Sequence, residues 1–535
     1  MANKPVKQVI IVGGGTAGWL CAGLLAAKLG DVQLNAESAI KVTLLESPQV
    51  SSIGVGEGSW PSLRTTLQDI GINESEFITC CNASFKQGST FVGWKNGLIN
   101  DQYQHPFTTP TGYTEIDVHS CWKQFFSDEP FERSFCLQPE MCSAAKAPKQ
   151  ASTPQYAYVL NYGYHFDAAA LAQLLTKHCT TKLGVKHKQA HIETITTAEN
   201  GDIAALVTDS GETITGDLFI DCSGTSALLI EQHLGVKWKS VSPILLNDRA
   251  VAMQVPYSDN DSTIASTTIA SAKACGWTWD IGLQHRRGVG MVYSSEFSTQ
   301  DNAEKLLRAH LKARLTENEI DKIESRTLTF SPGYREQFWV KNCLSLGMSA
   351  GFIEPLEASA IAMVELGVRM LYEQFPQHRE HMNFIAKRYN ERFAYRWERV
   401  IDFLKLHYVL SSRNEEYWQA QRNPNSIPDS LAERLEIWKY QAPSRFDLIQ
   451  NEEIFASASY QYVLYGMGYN TLFRELSANS ESAKKAHAIK QGLNKGREQL
   501  LAGLPDNRTL LESIVSRYTK SKNNKEPHHD VIGFR

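Results

Sequence analysis

Disulfides are the first thing this 535-residue chain lacks the means to make. Its ten cysteines form no Cys-x-x-Cys pair, and none lies beyond Cys343. That spacing offers neither a disulfide framework nor a zinc site, so the thiols read as reduced, no metal is expected, and the protein reads as cytoplasmic. Net charge is also scarce. The formal value is −4, from 54 basic and 58 acidic residues, which gives no general attraction to nucleic acid or to an anionic membrane. There is no internal repeat. The uncharged stretch from Gln8 to Ala27 carries five glycines and no convincing small-residue cleavage site. It reads as a buried strand, turn and helix, and not as a membrane span or signal peptide. What is present is an ordinary globular composition, 42% hydrophobic and 21% charged, at a length that calls for one large domain with a second region attached.

The apolar run Gln8–Val12 reads as a buried parallel strand and runs straight into Gly13-Gly14-Gly15-Thr16-Ala17-Gly18. A helix is expected over Trp19–Leu29 and a second strand over Lys41–Leu45, ending at Glu46. In such a βαβ unit the Gly13-x-Gly15-x-x-Gly18 pattern lets the backbone, with Thr16 and Ala17, approach a pyrophosphate at the helix N-terminus. Glu46 is placed to take ribose hydroxyls. Two later segments favour FAD over a nicotinamide. The strand from Asp217 ends in the small residues Ser223 to Thr225, and Leu344-Ser-Leu-Gly347-Met348-Ser-Ala-Gly351 resembles the last strand-to-helix turn of two-dinucleotide-fold flavoproteins. Many flavin monooxygenases have Gly-Asp at that turn, where this chain has Gly347-Met348. No second GxGxxG exists for a nicotinamide, so the flavin is expected to arrive already reduced.

Further along, residues 101 to 157 are rich in Pro, Thr and Ser and read as long loops. An amphipathic helix is expected over Phe166–Cys179, and a β meander over His187–Cys222 with turns at Asn200-Gly201 and Ser210-Gly211. Val241 to Ser298 reads mostly as strands. Helices are expected over Asn302–Arg314, Gly351–Gln374 and Pro376–Leu410, and over most of the chain to Val515. The division expected is a cofactor module over 1–400, a mainly helical substrate region over 401–515, and a polar, mobile tail over 516–535.

Between Gly276 and Leu283 the chain reads Gly-Trp-Thr-Trp-Asp-Ile-Gly-Leu, which in a strand puts Trp277 and Trp279 on one face. With this box the chain resembles the flavin-dependent halogenases of the tryptophan halogenase family, from about Val9 to about Asn470. The family shows the N-terminal GxGxxG, a W-x-W-x-I-P box, a lysine in the first hundred residues and a glutamate in an E-P-L-E-S-T-G segment. Here these are Gly13–Gly18, Trp277-Thr-Trp279-Asp-Ile281-Gly282, Lys86 in Asn82-Ala-Ser-Phe-Lys-Gln, and Glu357 in Glu354-Pro-Leu-Glu-Ala-Ser-Ala.

The resemblance implies a mixed α/β, two-dinucleotide-type FAD fold of the flavin monooxygenase and halogenase kind with an appended helical region. It also implies a chemistry in which reduced FAD, oxygen and chloride or bromide yield hypohalous acid, which travels through a tunnel to an electron-rich ring. Trp277 and Trp279 would wall the flavin from the substrate. Lys86 would polarise hypohalous acid or form a haloamine, and burial would lower its pKa. Glu357 would stabilise the cationic ring and accept its proton. Glu354, just before Pro355, reads as a turn or capping residue. The halide would sit near Ser359 and Ala360 at a helix N-terminus. His105 and Phe107 would line the substrate pocket. A separate NADH-dependent flavin reductase is the implied partner, and a homodimer is compatible with the chain.

Two departures from the family bear on substrate. Tyr460 and Tyr462 lie in Ser459-Tyr-Gln-Tyr-Val-Leu-Tyr-Gly, similar to the segment that holds the amino-acid end of tryptophan. No acid follows between Glu453 and Glu475 to pair with an ammonium. Gly282 replaces the box proline and loosens the chain there. An indole without the amino-acid end, or a larger or carrier-bound aromatic, is therefore weighed beside free tryptophan. An FAD-dependent aromatic monooxygenase and a non-catalytic flavin-binding protein are the alternatives.

Overall fold

The computed structural model describes residues 4–31, 33–35, 37–49, 56–98, 100–259, 261–450 and 453–523. Its N-terminal layer is the expected parallel sheet. Among the described residues the strand order is Trp339–Val340, Cys343–Ser345, Leu218–Asp221, Gln8–Val12, Lys41–Glu46 and Lys186–Gln189, parallel throughout except at the Trp339–Val340 edge. The apolar Gln8–Val12 run occupies the middle of this sheet, as a strand covered on both faces must. The helix that follows it starts at Thr16, three residues earlier than the apolar pattern suggests, because Gly15 serves as its N-cap.

The meander expected after His187 is present as Ile192–Thr197, Ile203–Thr208 and Thr213–Thr215, an antiparallel three-stranded sheet hung from the parallel one. The amphipathic helix begins at Ala168 and runs to Lys182. Phe166 belongs instead to strand Gly163–Asp167, and the Asp167 carboxylate caps the helix by accepting from the N–H groups of Ala169 and Ala170 at 3.0 and 3.2 Å.

A second, mostly antiparallel sheet carries the tryptophan box. Its order is Ser325–Thr329, Arg249–Pro256, Arg286–Tyr293, Gly276–Gly282, Thr268–Lys273, Gly88–Val92 and Gln102–Pro106. Helix Gln300–Leu311 covers one face through Val251, Met253, Val289 and Met291. The opposite face joins the main core, which also takes in the helices of the parallel sheet. A small sheet of Gly56–Gly58, Gly163–Asp167 and Ser84–Lys86 bridges the layers.

The 101–157 segment is less loop-like than its composition implies. It contains strand Gln102–Pro106 and helices Val118–Phe125, Phe131–Ser134 and Gln138–Ser143. The helix expected from Gly351 starts at Ser359 and ends at Glu373, after a short strand Gly351–Phe352 and an irregular loop. Pro355 disfavours helical backbone at Glu354, and Ala358 takes a left-handed φ of +52°, which blocks helix upstream of it. The long helix runs Arg379–Val409, across the expected boundary at residue 400. Ser516–Asn523, expected in a mobile tail, complete helix Asn507–Asn523; the remainder of that expected tail, 524–535, lies outside the described residues. Among the described residues no helix is long and apolar enough to cross a membrane.

Candidate active site

The glycine loop has the shape of a cradle. Gly13 takes a φ of +117°, and its N–H donates to the Leu45 carbonyl at 2.8 Å. A Cβ there would run into the Cys222 carbonyl, and one on Gly18 would run into the Gly13 carbonyl, so the turn closes only with glycine. Gly15 differs, because nothing lies within 4 Å of where its Cβ would stand. The open side of the loop thus faces space at the N-terminus of helix Thr16–Leu29, whose N-cap makes no side-chain hydrogen bond. Glu46 packs against Gly14, and its Oε2 lies 2.9 Å from His187 Nε2. Gly347, with a φ of +67°, lies against Ala17: a Cβ on it would stand 2.7 Å from that of Ala17. Open N–H groups, a carboxylate at the next strand end and a second glycine turn form a donor set that fits FAD.

A groove of about 570 Å³ runs along the second sheet, lined by Gly56, Ala252, Gln254, Trp279, Arg286 and Gly288. Arg286 is buried; its Nη2 donates to Asp167 at 2.7 Å, while its Nη1 has no partner among the described residues. Small residues on the sheet beside an indole wall suit a flat ring.

Lys86 ends strand Ser84–Lys86, paired with Gly163, and is almost fully buried. Its Nζ stands 5.5 Å above the centre of the Phe107 ring. Gly58 lies across it: a Cβ there would come 3.2 Å from Lys86 Nζ and 3.5 Å from both Ala358 Cβ and His165 Cδ2. Among the described residues no carboxylate comes within 4.0 Å of this ammonium. Burial pulls its pKa down to about 8, against the opposing charge of Glu357.

Glu357 is also buried. His105 Nδ1 lies 2.9 Å from its Oε1, His407 Nε2 3.2 Å from the same oxygen, and Ser89 donates to Oε2 at 3.4 Å. Burial alone would raise this carboxyl, but His105 and then His407 outweigh it and hold it well below the usual carboxylate range. The Trp60 indole N–H fixes the backbone by donating to the Glu357 carbonyl at 2.7 Å. The next residues open helix Ser359–Glu373. Its N-cap, Ala358, makes no side-chain hydrogen bond, which leaves the first N–H groups, with Ser359 buried and Ala360 exposed, free of a competing side-chain acceptor.

The two box indoles do share a face, with ring centroids 6.3 Å apart. Trp277 is buried beside Trp94, and Trp279 turns to the groove. Glu354 is not a turn residue. It is a buried carboxyl that accepts from the Trp277 indole N–H at 2.9 Å, from the Tyr408 hydroxyl at 2.8 Å, and from the Asn247 amide. Burial raises its pKa.

At the expected substrate end, His105 proves to be a partner of Glu357, with its ring 5.6 Å from Phe403 and 6.2 Å from Tyr462. Tyr460 and Tyr462 sit on helix Ser457–Gly466 and point about 200° apart. Tyr462 donates to the Thr108 carbonyl at 2.9 Å, while Tyr460 packs against Phe403 and Trp438 with its hydroxyl buried and without a hydrogen-bond partner among the described residues. The structure does not bring the two hydroxyls together. It does bring acids to this end: Glu132, buried and neighbouring Tyr462, its carboxyl pushed up to about 7 by burial, and Asp402 and Glu453, whose charges reach Tyr460.

Sequence reading missed His407, Tyr408, Phe403 and Glu132. The signal for the first was the run Phe403-Leu-Lys-Leu-His-Tyr, which places two ionisable residues in an otherwise apolar stretch late in a long helix.

Residues 8–479 match the tryptophan halogenase family model. A tryptophan 6-halogenase from Streptomyces toxytricini is 32% identical over 490 residues, 88% of this chain and 90% of its own. A tryptophan 7-halogenase from Lentzea aerocolonigenes is 30% identical over 546 residues, 96% of this chain and 98% of its own. The crystal structure of a tryptophan halogenase from Shewanella frigidimarina superposes with a TM-score of 0.92 at 46% identity, covering 96% of this chain and 98% of that one.

Proposed function

The chain belongs to the tryptophan halogenase family and is a flavin-dependent halogenase, and from that premise we propose how its residues divide the work. The observation that carries the reading is the buried Lys86 ammonium, with no ion-pair partner among the described residues, within electrostatic reach of an ionised Glu357.

The Gly13–Gly18 loop, Glu46 and Gly347 hold the FAD, and a separate NADH-dependent reductase delivers it reduced. Bound there, reduced FAD supplies with oxygen the oxidising equivalent that turns chloride or bromide into hypohalous acid. Ser359 and Ala360 offer the halide a helix N-terminus. Trp277 and Trp279 keep the organic substrate away from the flavin. Lys86 donates a hydrogen bond to the oxygen of hypohalous acid and so polarises its oxygen–halogen bond. The ring forms its carbon–halogen bond as that bond breaks, and the departing hydroxide takes a proton from the Lys86 ammonium and leaves as water. Glu357 stabilises the cationic ring and takes its proton. A hydroxylase would give neither Lys86 nor Glu357 a task, and a non-catalytic carrier would have no reason to meet the cost of burying them. The ten free cysteines, nine of them buried, suit the reducing cytoplasm.

The substrate is an indole-type ring without a free ammonium group. Tyr462 is committed to Thr108, Asp402 is already paired with Arg399 and Arg434, and Glu453 accepts from Tyr395, so none of these is set to receive an ammonium. Supplying reductase, NADH, FAD and each halide to indole, indole acids and tryptophan, with products read by mass spectrometry, tests this. A halide-dependent haloindole is expected, and tryptophan is expected to be halogenated poorly. Oxygenated product without halogen overturns the division of roles, and efficient tryptophan halogenation overturns the substrate assignment.

A further inference from the structure

The hydrogens around Glu357 do not balance without one extra proton. His407 is fully buried near the C-terminus of helix Arg379–Val409. Its Nδ1 lies 2.8 Å from the Phe403 carbonyl oxygen, which can only accept, so Nδ1 carries hydrogen. Its Nε2 lies 3.2 Å from Glu357 Oε1, an ion-pair distance, and has no hydrogen-bond partner among the described residues. A neutral ring protonated at Nδ1 would leave the Nε2 lone pair buried beside a carboxylate oxygen, with no donor to meet it. The contact is favourable only if Nε2 is protonated, which leaves an imidazolium beside the carboxylate at ion-pair distance. The ring otherwise meets hydrocarbon, with centroids 4.8 Å from Phe91, 6.0 Å from Trp94 and 5.2 Å from Phe403. A phenyl ring would pack there without burying a polar edge, so the imidazole is explained by its partner.

We propose that His407 is the positioning residue of the halogenating chamber, a buried imidazolium that keeps Glu357 ionised and aimed at the substrate ring. It acts through Glu357 and has no contact with the reacting atoms. Its neighbour Tyr408 grips Glu354, so one step of one helix fixes both glutamates of the Glu354–Glu357 loop. Among the described residues the other polar groups facing the pair are Lys86, His105, Ser89 and the Tyr103 hydroxyl, which has no hydrogen-bond partner among them. Of these only Lys86 and His105 can carry positive charge, and His105 needs just one hydrogen, on Nδ1, to serve Oε1.

The inference rests on Glu357 being the proton acceptor, and the test separates the two. Halogenation of indole is measured from pH 5.5 to 9 for the wild type, His407→Phe, His407→Gln and Glu357→Gln, with FAD affinity and thermal midpoint alongside. In the wild type Glu357 stays ionised across this range. Without the imidazolium, burial lifts its carboxyl into the range, and activity is lost as pH falls through the new value. His407→Phe is expected to lose about 10- to 100-fold at pH 7 and to gain an acid limb absent from the wild type, with FAD affinity unchanged. His407→Gln keeps a donor but no charge; it should show the same limb with a smaller loss, and it serves alone if the phenyl variant does not fold. A folded His407 variant whose profile superimposes on the wild type overturns the proposal. Glu357→Gln retaining full turnover overturns the assignment of Glu357 itself.

Discussion

Glu354 and Glu357 stand three positions apart, both carboxyls are buried, and consecutive residues of one helix, Tyr408 and His407, face them. Their remaining partners differ in kind. Glu354 is met by an indole N–H, an amide and a phenol, donors that satisfy a carboxyl without countercharge. Burial raises it, and the cost appears again in Lys405 nearby, pushed down to about 7 by its own burial while it donates to the Ile244 carbonyl and Gln421. Glu357 is met by two imidazoles, which favour its ionised form. Proximity in sequence and equal burial therefore say little about role. The donors decide whether a buried carboxyl anchors a wall or takes a proton.

The contrast can be broken first at Lys86, the cation of the Glu357 chamber. Lys86→Ala is expected to lower halogenation by about 10³-fold or more while FAD titrates normally, because no cradle residue touches it. Lys86→Met should share that loss yet raise the thermal midpoint by a few degrees, since it removes a buried charge worth roughly 1–3 kcal/mol at pH 7. Next comes pH. The Lys86 ammonium is present below about 8 and lost above it, so wild-type turnover should fall as pH rises through about 8, approaching tenfold per unit. A profile flat to pH 10 would remove the ammonium from the mechanism. The smallest effect belongs to the Glu354 side. Trp277→Phe leaves that carboxyl one donor short, which should cost about 1–3 kcal/mol of stability, read by denaturant unfolding, with turnover changed less than tenfold.

The cofactor cradle was legible in the chain because its logic is local: a strand, glycines at fixed offsets, a helix, and an acid at the next strand end lie within forty residues. Lys86, Glu357 and the Trp277–Trp279 face were legible for the same reason, as short motifs whose spacing survives folding. The partners of the glutamates were not. His407 and Tyr408 reach the loop from about fifty residues away, through a helix whose periodicity reports burial but not what is buried against it. Glu354 looked like a turn residue because Pro355 follows it, and the same proline, with the left-handed Ala358, delayed the helix start to Ser359. Tyr460 and Tyr462 were paired by their closeness in sequence, and helical geometry turned them apart.

The most direct test of the contrast sets Glu354→Gln beside Glu357→Gln, two near-isosteric changes in one loop, and measures haloindole formation and thermal midpoint for each. Glu357→Gln should lose about 10²-fold or more in turnover with its midpoint within a few degrees of the wild type. Glu354→Gln should keep turnover within tenfold and show its loss in the midpoint. The reverse pattern, or equal loss of turnover in both, would contradict the assignment of chemistry to Glu357 and of architecture to Glu354.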